Sequence, residues 1–184
     1  MQPDPGHLLS TLGIAVPPVG FYDAPDPAPF APIVEPAAGK HLCIFCFYDR
    51  WREGKTLHLT KENYGCGGAG NWLCSVSTRT RPEYLKFLVD GEGLKSSHEL
   101  MSRWLDHQKP YHPAHAHLFI GPLKPALYGY LKSVTFFVNP DQLGALILGA
   151  NYDSAPGDPT PVIAPFGAGC MEIAPLFDDF TVPQ

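Results

Sequence analysis

A chain of 184 residues with 45% hydrophobic and 17% charged side chains is long enough for a real core and too apolar to remain disordered. Its net charge of −5, with Lys and Arg scattered, excludes the basic face of a nucleic-acid binder. No apolar run reaches about 18 residues, and MQPDPGHLLSTLG lacks the basic start and apolar core of a signal peptide, so neither a membrane partner nor secretion is expected and the cytoplasm is.

Residues 7–12 predict one or two turns of helix. Pro17 and Pro18 end it, and residues 19–22 predict a short strand. Residues 23–36 hold five prolines and predict an extended surface arm, polyproline-like in part. Within a single domain overall, residues 1–38 are thus expected as an N-terminal helix, strand and arm, and 39–184 as its main part. Cys43, Phe47 and Trp51 fall at i, i+4 and i+8, which predicts a helix over 39–51 with one apolar face. Cys43 and Cys46 spell C-x-x-C, a spacing that suits zinc, an iron–sulfur cluster or a dithiol. Their neighbours Leu42, Ile44, Phe45 and Phe47 are apolar, so two packed core cysteines are expected instead.

The stretch 55–74, KTLHLTKENYGCGGAGNWLC, carries the clearest site signal. Residues 56–60 alternate as a half-buried strand. Asn63 is a turn or cap residue. Gly65, Gly67, Gly68 and Gly70 surround Cys66 and allow positive φ and close approach of a ligand to the backbone. A helix starting at this cysteine would present unpaired amides that stabilise an anion or a thiolate. The helix is expected to run into Trp72, Leu73 and Cys74. No Lys-Ser/Thr pair follows the last glycine, so this is no Walker loop, and it is no G-x-G-x-x-G fingerprint either.

Pro82 opens a helix with Tyr84, Leu85, Leu88 and Val89 inward, ended by Gly91 and Gly93. Ser96 or Ser97 caps the next, with Leu94, Leu100, Met101, Trp104 and Leu105 as its apolar surface. DHQKPYHPAHAH places His107, His112, His115 and His117 in a Pro-broken loop, where His115 and His117 share a face if the following strand begins early. A strand over 117–120, a short helix over 125–132 and an apolar strand over 133–138 follow. Asn139 and Pro140 start a helix with Leu143, Leu146, Ile147 and Ala150 buried. Residues 162–166 predict a last strand, and Gly167, Ala168, Gly169 and Cys170 then repeat the pattern of small residues and a cysteine at a helix start. If the two strands neighbour one another, Cys66 and Cys170 meet at one edge of the sheet.

Four segments carry a family resemblance: HLCIFCFYDRWREGKTLHLTKENYGCGGAG, GEGLKSSHELMSRWLDHQKPY, KSVTFFVNPDQLGALILGANY and APFGAGCMEIAP. The chain resembles the domain-of-unknown-function family number 169 of bacteria and archaea, over most of residues 41–175. The resemblance places the family's cysteine after Asn-Tyr-Gly on Cys66 and its cysteine after Phe-Gly on Cys170. The pair Cys43 and Cys46 matches only part of the family. The resemblance implies no particular reaction. It also implies a further strand and helix beyond Gln184, so the chain is expected to be a C-terminal truncation.

The expected fold is α/β (α+β the variant), a mixed sheet of about five strands flanked by helices. Three functions compete. Cys66 and Cys170 bind a metal ion or iron–sulfur cluster, with further ligands from a second chain in a homo-oligomer or from the segment expected beyond Gln184. Alternatively Cys66 is the catalytic nucleophile of a thiol enzyme, with His58 or a histidine of 107–117 as base. In the third, Asn63, Gly65, Gly67, Gly68 and Gly169 hold a small anionic molecule. The first is favoured, because two cysteines on one rim suit ligation and no base is evidently paired with either.

Overall fold

The computed structural model describes residues 5–37, 41–77, 79–107, 110–155, 158 and 169–173. The chain divides into two compact units, residues 1–18 with 136–165 and residues 19–135 with 166–184. Helix α1 (Pro5–Thr11) opens the first. The candidate site belongs to the second.

Five strands form one mixed sheet: β1 (Val19–Ala24), β2 (Ile33–Val34), β3 (Thr56–Leu59), β4 (His117–Pro122) and β5 (Leu131–Thr135), in the order β2-β3-β4-β1-β5. The β2–β3 pair is parallel and the others are antiparallel. An α/β architecture was expected, and its mixed five-stranded sheet with helices is what forms. β1 is buried along its whole length, because β4 and β5 flank it and take up its backbone donors and acceptors.

The proline-rich segment lies at the surface as expected at residues 25, 26, 28, 29, 31, 32 and 35, but it is pinned to the sheet and is not a separate arm. Asp23 and Ala24 finish β1, residues 28–30 make a 3₁₀ turn, and Ile33 and Val34 pair with Thr56 and Leu57. Phe30 is fully buried, with its ring stacked 3.9 Å from that of Phe119. Together with Tyr22, Ala24 and Leu127 these rings form a core on one face of the sheet. The prolines only interrupt the segment, and the apolar residues between them fold it inward.

The segment 39–51 is not one helix. Residues 44–47 form a 3₁₀ turn that passes into α2 (Tyr48–Arg52). Helix α3 (Gly67–Trp72) follows β3 and ends at Trp72, so Leu73 and Cys74 lie beyond it rather than opening it. Then come α4 (Arg81–Lys86), continued by a π turn over 87–91, and α5 (His98–His107). Tyr84 and Leu88 point inward as expected, and Ser97 Oγ accepts from the Leu100 amide at the start of α5. The expected helix over 125–132 is a 3₁₀ turn, Pro125–Tyr130.

In the first unit, α6 (Pro140–Ala150) starts where Asn139 and Pro140 predict, with Asn139 Oδ1 accepting from the Gln142 amide at 2.9 Å. Its expected inner face is not buried: Leu146 and Ile147 are half-buried, and Leu143 and Ala150 are exposed. The last helical turn, α7 (Gly169–Glu172), belongs to the second unit. The strand expected over 162–166 lies outside the described residues.

Candidate functional site

After β3 the chain turns on Thr60, whose Oγ1 accepts from the amides of Glu62 (3.2 Å) and Asn63 (3.1 Å). The Asn63 side chain donates to the Pro36 carbonyl at 3.1 Å, so it fastens the turn to the segment after β2 and caps no helix. Gly65 then takes φ +75°, a conformation that disfavours any side chain. Its carbonyl accepts from the Leu42 amide at 3.2 Å.

Cys66 is the N-cap of α3. Its backbone is extended, and its sulfur accepts from the Ala69 amide at 3.4 Å. Sulfur here does what Ser or Asp oxygen does at other helix starts. The Gly68 and Ile44 amides also face this sulfur. Gly67 is buried at the first position of the helix.

Cys170 lies in the first turn of α7. Ser133 Oγ anchors that turn to β5 by donating to the Ile173 carbonyl, and Phe45 packs its ring against Gly169. A Cβ on Gly68 would stand 2.6 Å from the Cys170 sulfur and 3.8 Å from the Cys66 sulfur. Gly68 is therefore bare because a sulfur fills its side-chain space. Gly70 is bare because the Tyr64 ring does the same there. The glycines serve internal packing, and the amides of Gly68 and Ala69 are turned onto Cys66.

Both thiols are free and buried. The Cys170 thiol donates to the Cys66 sulfur. That bond, helped by the amides of Ala69, Gly68 and Ile44, outweighs burial and holds the Cys66 thiol at about 5. Cys170 moves the other way, far up, first through the same bond and then through burial and the charge on Cys66. At neutral pH the pair is one thiolate and one thiol.

The remaining cysteines divide. Cys74 is buried just past α3, and burial pushes its thiol up to about 12. Cys43 and Cys46 were expected in the core, yet both are exposed. The reason is helical period. A 3₁₀ turn repeats every three residues, so Ile44 and Phe47 share the buried side and Cys43 and Cys46 share the outer one. An i, i+3 reading of the apolar residues would have found this.

No histidine is among the leading influences on the Cys66 thiol. His58 instead donates from Nδ1 to Glu35 at 2.8 Å, shares a 3.0 Å hydrogen bond between its Nε2 and His117 Nδ1, and stacks on Phe119. His115 donates from Nδ1 at 2.9 Å to the buried Asp23, which also accepts from the Tyr111 hydroxyl and the amides of Ala114 and His115. His115 and His117 thus serve separate partners. Among the described residues no group of three or more His, Cys, Asp or Glu is arranged to hold a metal ion.

A family match covers residues 7–176, and that family is described as uncharacterised ArCR, DUF169. The chain belongs to this family. The matched span of this DUF169 chain contains all five cysteines. No curated protein and no solved structure matches the chain. Among the described residues no helix is long and apolar enough to cross a membrane.

Proposed function

We propose that this DUF169 chain is a cysteine-dependent thiol enzyme of the dithiol–disulfide type, with Cys66 as the reacting thiolate and Cys170 as its partner. The observation that carries the reading is the meeting of both sulfurs at the bare Gly68, where a Cβ would stand 2.6 Å from the Cys170 sulfur and 3.8 Å from the Cys66 sulfur. Two sulfurs that meet at one glycine need little movement to join. Joining them releases one proton and two electrons, since Cys66 has already lost its proton; a small disulfide or a peroxide takes the electrons. In a reducing cytoplasm the pair rests as thiolate and thiol. The amides on Cys66 do the work for which a histidine base was expected.

Oxidation of the reduced protein tests this. Peptide mapping should find Cys66 joined to Cys170, reversibly, and either Cys66→Ser or Cys170→Ser should abolish that bond. Oxidation that leaves both as free thiols, or pairs them only with other cysteines, would refute the reading.

A metal ion or iron–sulfur cluster is the second reading, favoured by the meeting of two cysteine sulfurs at Gly68. Cys66 and Cys170 would supply two soft ligands, and a second copy of the chain the rest. Ligation requires Cys170 to give up its proton, so uptake would fall as pH drops. Anaerobic purification with metal analysis and an absorption spectrum decides between the two.

A further inference from the structure

We propose that Cys43 is the surface thiol of this centre, taking a small organic disulfide from solvent and passing the exchange inward to Cys66. The inference rests on the dithiol reading above.

Access is the first argument. Cys66 is 8% exposed and Cys170 7%, whereas Cys43 is open to solvent. Attack on a disulfide needs room for both of its substituents along the line of the three sulfurs, and a sulfur that closed in offers little. Placement is the second. Cys43 is held beside the Cys66 loop: the Leu42 amide just before it donates to the Gly65 carbonyl just before Cys66 at 3.2 Å, and the Ile44 amide just after it favours the charge on Cys66. Cys43 and Cys66 thus each stand one residue beyond the two ends of that 3.2 Å hydrogen bond. Charge agrees with placement. The Cys43 thiol is pushed up first by burial of part of its surface and then, among charges, first by Cys66.

The exchange balances in three steps. The Cys43 thiolate attacks R–S–S–R, forming Cys43–S–S–R and releasing RS⁻. The Cys66 thiolate attacks the Cys43 sulfur, forming a Cys43–Cys66 disulfide and releasing the second RS⁻. Once Cys66 is in that disulfide, neither a hydrogen bond to its thiolate nor its charge holds the proton on Cys170. Cys170 then ionises and attacks the Cys66 sulfur, and Cys43 leaves as a thiolate that takes back a proton. One external disulfide has become two thiols, the buried pair has become a disulfide, and one proton has come from solvent.

The test uses the full reduced chain with bis(2-hydroxyethyl) disulfide, and in parallel with hydrogen peroxide, which is small enough to oxidise Cys66 directly. Cys43→Ser should slow formation of the Cys66–Cys170 disulfide at least about ten-fold with the organic disulfide and leave the peroxide reaction unchanged. Cys170→Ser should accumulate a Cys43–Cys66 disulfide on peptide mapping. Cys46→Ser, equally exposed, should react as wild type. An unchanged rate in Cys43→Ser overturns the role of Cys43 and leaves the dithiol standing. Absence of the Cys66–Cys170 disulfide in the wild type with both oxidants overturns both.

Discussion

Removing the Cys170 thiol should turn Cys66 back toward an ordinary cysteine. The Cys66 thiol lies at about 5, lowered from 9.0, and the largest cause is the hydrogen bond from Cys170. At pH 7 a thiol at about 5 is roughly 99% ionised, against roughly 3% for a free cysteine near 8.5. In Cys170→Ala the amides of Ala69, Gly68 and Ile44 remain, and so does the opposing effect of burial. The midpoint should therefore climb by at least about one pH unit. Cys170→Ser keeps a donor at the same place and should fall between the two. The assay is the pH dependence of iodoacetamide labelling at Cys66, followed on its own peptide so that exposed Cys43 and Cys46 do not contribute, with thiolate absorbance as a second readout. An unchanged midpoint in Cys170→Ala would show that the amides alone hold the thiolate and that the two sulfurs do not act as a unit.

Two further outcomes follow from the same geometry. Gly68→Ala puts a Cβ 2.6 Å from the Cys170 sulfur and should cost about 1–3 kcal/mol in urea unfolding, while in a Cys170→Ala background, where the Cys66 sulfur at 3.8 Å and the Cys170 Cβ at 4.0 Å are ordinary contacts, most of that cost should vanish. Under reducing conditions stability should rise from about pH 5 to about pH 9, because over that window the unfolded chain keeps a proton that folded Cys66 has released; Cys66→Ser should lack this rise when melting temperatures are compared across pH. Above about pH 9 the sign reverses, since Cys74 and Tyr22, both raised to about 12 by burial, must stay protonated in the fold.

Part of the site was legible before any folding was considered. The run of glycines around Cys66 predicts a helix start there, and Cys66 is the N-cap. What those glycines are for was not legible. They suggested a ligand approaching the backbone, whereas Gly68 and Gly70 admit Cys170 and Tyr64 from the chain itself. The histidines show the same limit. Strand alternation puts His58 and Phe119 on one face once their strands pair, but nothing nearby in the chain links His58 to Glu35 and His117. Cys43 and Cys46 went the wrong way because an α repeat and a 3₁₀ repeat turn the same residues to opposite sides.

The amino-acid sequence by itself determined the local elements: β3, the cap at Cys66, the Asn139 cap of α6, the Ser97 cap of α5 and the α/β class. Those follow from backbone sterics, capping and side-chain period, which act over a few residues. Only the tertiary structure decided that Phe30 folds the proline-rich segment onto the sheet, that β1 lies between β4 and β5, and that Cys170 comes to rest on Gly68 beside Cys66. These are contacts between distant parts of the chain. They are selected by burial of apolar surface and by sharing of one proton between two sulfurs, and neither can be weighed until the partners are in place.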